Sequence, residues 1–295
     1  MVDEHPHTPV MAGDVLEGLG VRAGFFLADL TVGAGGHAAA FLRASAPTGR
    51  LFASDRDETA LALARRRLEP EHDRVRWHHG DSLEALAVLE REGLRPDGIL
   101  LDLGVSSMQL DEVDRGFSLR EDAALDMRMD RRQARTAADL LAELARGELE
   151  RVLREGDAPR AGGLARAIVE RRRQRPFRST GDLRRFVEER TGRRSGRIHP
   201  ATQVFMALRM AVNDELPLLA RTLPLAIERL APAGRLAVIS FHSGEDRLAK
   251  QAFREAQRRG QGRSLTAKPR RPGGREIARN ARARSARLRV LERTP

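Results

Sequence analysis

The chain has 295 residues but no cysteine, no tyrosine and a single tryptophan, and only 4% of it is aromatic. Without cysteine, disulfides and thiolate metal sites are excluded. So few aromatics also exclude a broad stacking platform for single-stranded nucleic acid. No uninterrupted apolar run approaches the roughly 18 residues that a membrane span needs. The opening residues, MVDEHPHTPVMAGD, lack the basic and apolar regions of a secretory signal. These absences predict a cytoplasmic protein with no membrane partner. The 41% hydrophobic content supplies a sizeable core, and the length allows one or two domains.

What the chain does have is charge, placed unevenly. Its net charge is +11. Residues 160–197 hold 13 Arg against 4 acids, a net +9, and residues 260–295 hold 11 Lys or Arg against 2 Glu, again +9. The remainder is therefore acidic, at −7. Two basic segments on an acidic body point to a polyanionic partner.

The first hundred residues repeat one unit. FFLADL (25–30), RLFASD (50–55), RVRWHHGD (74–81) and DGILLDLG (97–104) read as short apolar strands ending near an acid. HAAAFLRASA, DETALALARRRLE and SLEALAVLEREG lie between them with helical periodicity. Strands alternating with such helices predict an α/β fold with a parallel sheet. Asp29, Asp55, Asp81 and Asp102 fall 26, 26 and 21 residues apart, one βα repeat each time. We expect all four in register along the carboxyl edge of the sheet, where open α/β sheets bind ligands.

The next convincing strand is GRLAVISF (234–241). The gap is helical in pattern, with TAADLLAELARGELERVLREG, GLARAIVERRRQ and STGDLRRFVEERTG. We therefore expect a discontinuous sheet domain, residues 1–108 and 208–295, around an inserted helical domain, residues 109–207. The apolar stretch QVFMALRMAVNDELPLLARTLPLAIERLAPAG is expected to return the chain to the sheet domain. SARLRVLE (285–292) reads as a last strand, and residues 260–284 as a loop.

The stretch DLTVGAGGH (29–37) carries the first chemical signal. Gly33, Gly35 and Gly36 allow a tight turn and close approach to a ligand. The helix that follows offers free N–H groups at its start. From Gly33 the string also fits the dinucleotide pattern G-x-G-x-x-A, so an NAD-dependent oxidoreductase stands as an alternative. Asp29, four residues earlier, would repel a pyrophosphate but attract an ammonium group. Asp55 suits ribose hydroxyls with either cofactor. Asp81 is placed to accept from an adenine amino group. A cation, a ribose and an adenine together describe S-adenosylmethionine.

DLGVSSMQLDEVDRGFS (102–118) carries the second signal. The exocyclic amine of cytosine is a poor nucleophile, because its lone pair is delocalised into the ring. A carboxylate accepting its N–H would hold the amine and raise its electron density, and Asp102 stands at the right edge to do so. Ser106 and Ser107 would add hydrogen bonds or cap a helix. His78 and His79 have no partner at ligand spacing, so no metal site is expected. Asp126, Arg128 and Asp130 read as a structural salt-bridge cluster. Phe241 to Ser243 end the late strand at the same edge.

These motifs follow one another in a recognisable order. HTPVM (7–11), DLTVGAGGH, DRD (55–57), DGILLDLGVSSMQLD (97–111), RGFS (115–118), LDMRMD (125–130), ARAIVE (165–170), HPAT (199–202), ALRMAVNDEL (207–216), GRLAVISFHSGEDR (234–247) and NARARSARLRV (280–290) span nearly the whole chain. Together they resemble the bacterial 16S ribosomal RNA cytosine-N4 methyltransferase family (RsmH/MraW). The resemblance implies a Rossmann-like class I sheet with an inserted helical domain. It implies methyl transfer from S-adenosylmethionine to N4 of a cytidine in the decoding region of 16S RNA, within the small ribosomal subunit. By motif it carries cofactor binding to Gly35, Gly36, His37, Asp55, Ser82, Asp102 and Gln109. The inserted domain is expected to recognise RNA. A non-catalytic RNA-binding or ribosome-assembly factor on the same fold is the other alternative. The chain departs from the family pattern at Ala34, Ala38, Ser82, EGDA (155–158) and Gly244.

Overall fold

The computed structural model describes residues 9–192 and 199–295. His7 and Thr8 of the HTPVM motif and residues 193–197 of the first basic segment lie outside the described residues. In chain order the elements are α1 (Ala12–Leu19), β1 (Phe26–Asp29), α2 (Gly36–Ala44), β2 (Arg50–Asp55), α3 (Glu58–Arg67), β3 (Val75–His79), α4 (Ser82–Arg91), β4 (Gly98–Asp102) and α5 (Ser107–Asp111). A helical run follows: α6 (Ala137–Glu143), α7 (Arg146–Glu155), α8 (Ala161–Arg172), α9 (Thr180–Thr191), α10 (Pro200–Val212) and α11 (Glu215–Arg229). The chain ends with β5 (Arg235–Ser240), α12 (Ser243–Arg258), β6 (Gly262–Ser264), α13 (Gly274–Arg279) and β7 (Arg287–Arg293).

The sheet has strand order β3-β2-β1-β4-β5-β7-β6. The first five strands are parallel, and β7 runs antiparallel to both β5 and β6. Strand order reverses between β1 and β4, which opens a crevice at their carboxyl ends. Alternate strand residues point to opposite faces. Leu27, Leu51, Leu100 and Ala237 pack on one side with α1, α2 and α3. Ala28, Phe52, Leu101 and Val238 pack on the other with α4, α11 and α12. Burial on both faces explains why these strands read as continuous apolar runs.

The chain divides into two compact units, Met1–Gly104 with Leu216–Pro295, and Val105–Glu215. The boundaries thus differ from the expected 108/109 and 207/208. The reason lies in the apolar stretch 203–234, which is two helices rather than one. Asp214 takes a left-handed φ of 49° between them. Asn213 is buried, donates to Met127 O and accepts from Met129 N. These bonds tie α10 to the helical unit, where Val204, Phe205 and Leu208 join a core with Leu149, Ile168 and Phe186. Residues 260–284 also differ from expectation, because they contain β6 and α13 as well as loop. β7 falls where SARLRVLE predicted a strand.

Candidate functional site

The β1–α2 turn is built around its glycines. Gly33 and Gly35 have left-handed φ values of 53° and 80°, a region that costs residues with a side chain. A Cβ on Gly35 would meet Ala64 of α3 at 3.3 Å, and one on Gly36 would meet Pro9 at 3.2 Å. At Gly33 the nearest such contact is Thr31 O at 3.9 Å, an ordinary van der Waals distance, so it is the least crowded of the three. Gly33 N donates to Asp55 Oδ2 (2.8 Å), which locks the turn to the end of β2. Asp57 N occupies the other oxygen of Asp55 (2.9 Å). Burial, eased by these two bonds, pushes the Asp55 carboxyl above its ordinary range.

The four acids lie on the expected edge but not in register. Asp29 pairs with Ala53 and Leu100, which sets it two residues behind Asp55 and Asp102. Asp55 is level with His79, so Asp81 stands two residues beyond the end of β3. The acids form a staircase, and depth decides what each can do. Asp29, the deepest, is 1% exposed. Its Oδ1 accepts from Thr31 N (3.1 Å), while its Oδ2 is buried without a hydrogen-bond partner. Burial pushes its carboxyl up to about 7, against the pull of His37 and the Thr31 N–H and with help from Asp102 and Asp55.

Asp102 closes β4. Its backbone N donates to Thr31 Oγ1 (2.7 Å), and its buried Oδ1 has no hydrogen-bond partner. Its Oδ2 lies 3.4 Å from His37 Nε2, an ion-pair contact without hydrogen-bond alignment. Burial disfavours a charged His37 ring, but Asp102, then Asp29 and Glu276, outweigh it and push the imidazole above its ordinary value. Asp29, His37 and Asp102 therefore form one cluster, with Thr31 bonded to both acids. Sequence reasoning missed Thr31. Its signal was the Asp-x-Thr spacing, in which an aspartate bonds the backbone two residues on.

The placement of Asp81 needs correction. Asp81 does not end a strand. It is the N-cap of α4, where its Oδ1 accepts from Leu83 N and Glu84 N while Glu84 bonds back to Asp81 N. The Ser82 hydroxyl is buried against Thr222 Oγ1 (2.6 Å). Gln109 belongs to the helical unit, where it forms a reciprocal capping pair with Ser106 at the start of α5. The LDMRMD motif carries the expected salt bridges, with Asp130 acting on Arg128 beside Asp126. Arg128 bonds Asp126 (2.7 Å), and Arg132 bonds Asp130 (2.7 Å). At the end of β5, Phe241 N and His242 N both donate to Glu245 Oε2. The Phe241 ring lies beside Gly104. Among the described residues no group of three or more His, Asp or Glu is placed to hold a metal ion. No helix among them is long and apolar enough to cross a membrane.

The chemistry of this edge is that of a cation and hydroxyl receptor. Two buried carboxylate oxygens without hydrogen-bond partners are costly unless a donor reaches them. The amino-acid ammonium of S-adenosylmethionine is such a donor, and the Asp55 position suits its ribose. A pyrophosphate at the same turn would meet the charges of Asp29 and Asp102.

Comparison with known proteins agrees. The model of the MraW methylase family matches residues 4–294. A protein of Symbiobacterium thermophilum named ribosomal RNA small subunit methyltransferase H is 45% identical, with 97% of this chain and 96% of that one covered. Its namesake in Chlamydia caviae is 47% identical, covering 98% of each chain. The one in Thermobifida fusca is 45% identical, over 98% of this chain and 93% of that one. The chain belongs to the MraW methylase family.

Proposed function

We propose that the protein methylates N4 of a cytidine in the decoding region of 16S ribosomal RNA, acting within the small ribosomal subunit with S-adenosylmethionine as methyl donor. The observation that carries this reading is the pair of buried oxygens without hydrogen-bond partners, Asp29 Oδ2 and Asp102 Oδ1, at the carboxyl ends of neighbouring strands. The bound cofactor supplies an electrophilic methyl group on a sulfonium. Asp29, with Gly33, Gly35 and Gly36, holds its amino-acid end, and Asp55 its ribose. Asp81 and Ser82 take the adenine end: Asp81 Oδ1 and the Ser82 hydroxyl fix the start of α4, and Asp81 Oδ2 accepts from the adenine amino group. Gln109 is assigned to cofactor binding by motif.

Asp102 accepts an N–H of the cytosine amine at Oδ1. This raises electron density on the nitrogen and gives the departing proton a base. His37 stabilises the charge on Asp102 from the other oxygen. The cytosine must leave its stack to arrive there. The basic part of the helical unit and the basic tail bind phosphates, so affinity for RNA falls with added salt.

The test incubates the protein with labelled S-adenosylmethionine and undermethylated small subunits, then identifies the digested nucleosides. N4-methylcytidine is the expected product. Another methylated nucleoside would overturn the base assignment. RNA binding without methyl transfer would instead mark a non-catalytic assembly factor.

A further inference from the structure

The chain between Arg270 and Leu288 forms a loop at the cofactor edge of the sheet. β7 runs antiparallel to β5, so Arg287 lies opposite Ser240 at the carboxyl end of β5. Arg270 and Leu288 exchange backbone hydrogen bonds of 2.9 and 3.0 Å, so the chain leaves and returns at that same edge. The loop holds Arg271, Arg275, Arg279, Arg282 and Arg284, and a single acid, Glu276. An acid on a surface that binds phosphates weakens that binding, so its presence calls for another cause.

Glu276 Oε1 accepts from Met11 N at 2.6 Å. Met11 precedes α1 in a left-handed conformation, φ 54°, with its side chain buried. Such a backbone is unfavourable for a residue with a side chain and persists only where neighbours hold it. Two residues earlier, Pro9 packs on Gly36 of the cofactor turn. The charge of Glu276 also acts on His37. One carboxylate therefore touches the N-terminal segment, and its field reaches the His37–Asp102 pair.

We propose that Glu276 is a positioning residue that ties the basic 271–286 loop to the Pro9–Met11 segment and so holds that segment against the Gly36–His37 side of the cofactor turn. The loop arginines are thereby kept beside the edge where the target nucleotide arrives. Phosphate binding on the loop and cofactor binding at the turn then support each other, and the coupling is reciprocal. This rests on the methyltransferase reading above.

The experiment titrates S-adenosylhomocysteine into the full-length wild type, Glu276→Gln and Glu276→Ala, followed by calorimetry, with the His37 ring followed by NMR over pH. Glu276→Ala is expected to bind about tenfold more weakly, the equivalent of about 1.4 kcal/mol. Glu276→Gln, whose amide oxygen still accepts from Met11 N, should fall between the two. The His37 titration should move to lower pH in both variants, the opposite of the shift that loss of burial alone would cause. A short single-stranded RNA should tighten S-adenosylhomocysteine binding in the wild type and do so less in Glu276→Ala. Equal affinities in all three folded proteins, or an unmoved His37 titration in Glu276→Gln, would overturn the proposal. If Glu276→Ala fails to fold, the Gln variant carries the test. A wild type that binds no S-adenosylhomocysteine would count against the methyltransferase reading, while the His37 titration would still judge Glu276.

Discussion

The β1–α2 and β3–α4 turns look alike in sequence, yet they use their acids in opposite ways. Both follow a parallel strand, contain an aspartate and open a helix. In β3–α4 the aspartate caps the helix, and Asp81 Oδ1 is taken up by Leu83 N and Glu84 N. In β1–α2 the helix starts from Gly35 with no side-chain cap. Asp29 stands well behind that start, so one of its oxygens stays without a hydrogen-bond partner. The β2–α3 turn lies between these extremes. There Asp57 caps the helix, and Asp55 braces the glycine turn. A strand-end acid is thus a ligand candidate to the extent that another residue meets the needs of its helix.

Substitutions at four positions would sharpen or break this contrast. The largest effect is expected at Asp102. Asp102→Ala should cost about 10² or more in single-turnover rate at saturating cofactor, the usual scale for losing an acid–base partner. Near-normal turnover would show that Asp102 does not hold the amine. Asp29→Asn comes next. Losing a hydrogen bond to a charged group costs roughly 1.5–3 kcal/mol, so S-adenosylhomocysteine affinity should fall about 10-fold or more by calorimetry. The same variant should make the free protein more stable above neutral pH. The folded Asp29 carboxyl sits at about 7 against an ordinary 3.8. Its contribution to stability is therefore complete below the ordinary value and is lost as pH rises through about 7. Thermal melts should separate wild type and Asp29→Asn above neutrality and bring them together in acid.

Asp81→Ala should act mainly on stability. Loss of an N-cap costs about 1 kcal/mol, and Asp81→Ser, which can still cap, should recover most of it. Its cofactor affinity should stay within about threefold of wild type, less than the 1.4 kcal/mol of a tenfold change. A larger loss of affinity than of stability would make the adenine contact, not the cap, the main role of Asp81. Ser82→Ala is expected to do least. It leaves Thr222 short of one hydrogen bond, worth about 1 kcal/mol in urea melts.

Much of the fold was legible because its signals are periodic. β1, β2, β4 and β5 are runs buried on both faces, β3 is a half-exposed edge strand, and the helices between them repeat at the expected spacing. β6 and α13 were not legible, since GRS and GREIAR are short and polar and gain their structure from β7 and the neighbouring loop. The α10–α11 break was hidden because apolar periodicity continues across Asn213 and Asp214. Only the bonds of Asn213 to Met127 and Met129 show that the two helices serve different units. In the site, the identities of Asp29, His37 and Asp102 were readable from spacing and motif. Their depths were not, because register shifts of two residues leave a sequence pattern unchanged. Thr31 and Glu276 act through bonds to backbone N–H groups or from distant sequence, and composition does not report such contacts.

The central claim is that Asp29 is an unspent carboxylate waiting for a cation, and proton-linked calorimetry tests it most directly. S-adenosylhomocysteine would be titrated slightly below neutral pH in buffers of different ionisation enthalpy. The ligand's ammonium group should drive Asp29, which sits at about 7 in the free protein, to its ionised form. The wild type should therefore release a substantial fraction of a proton on binding, and Asp29→Asn should release markedly less. Equal proton release by the two proteins would contradict the account.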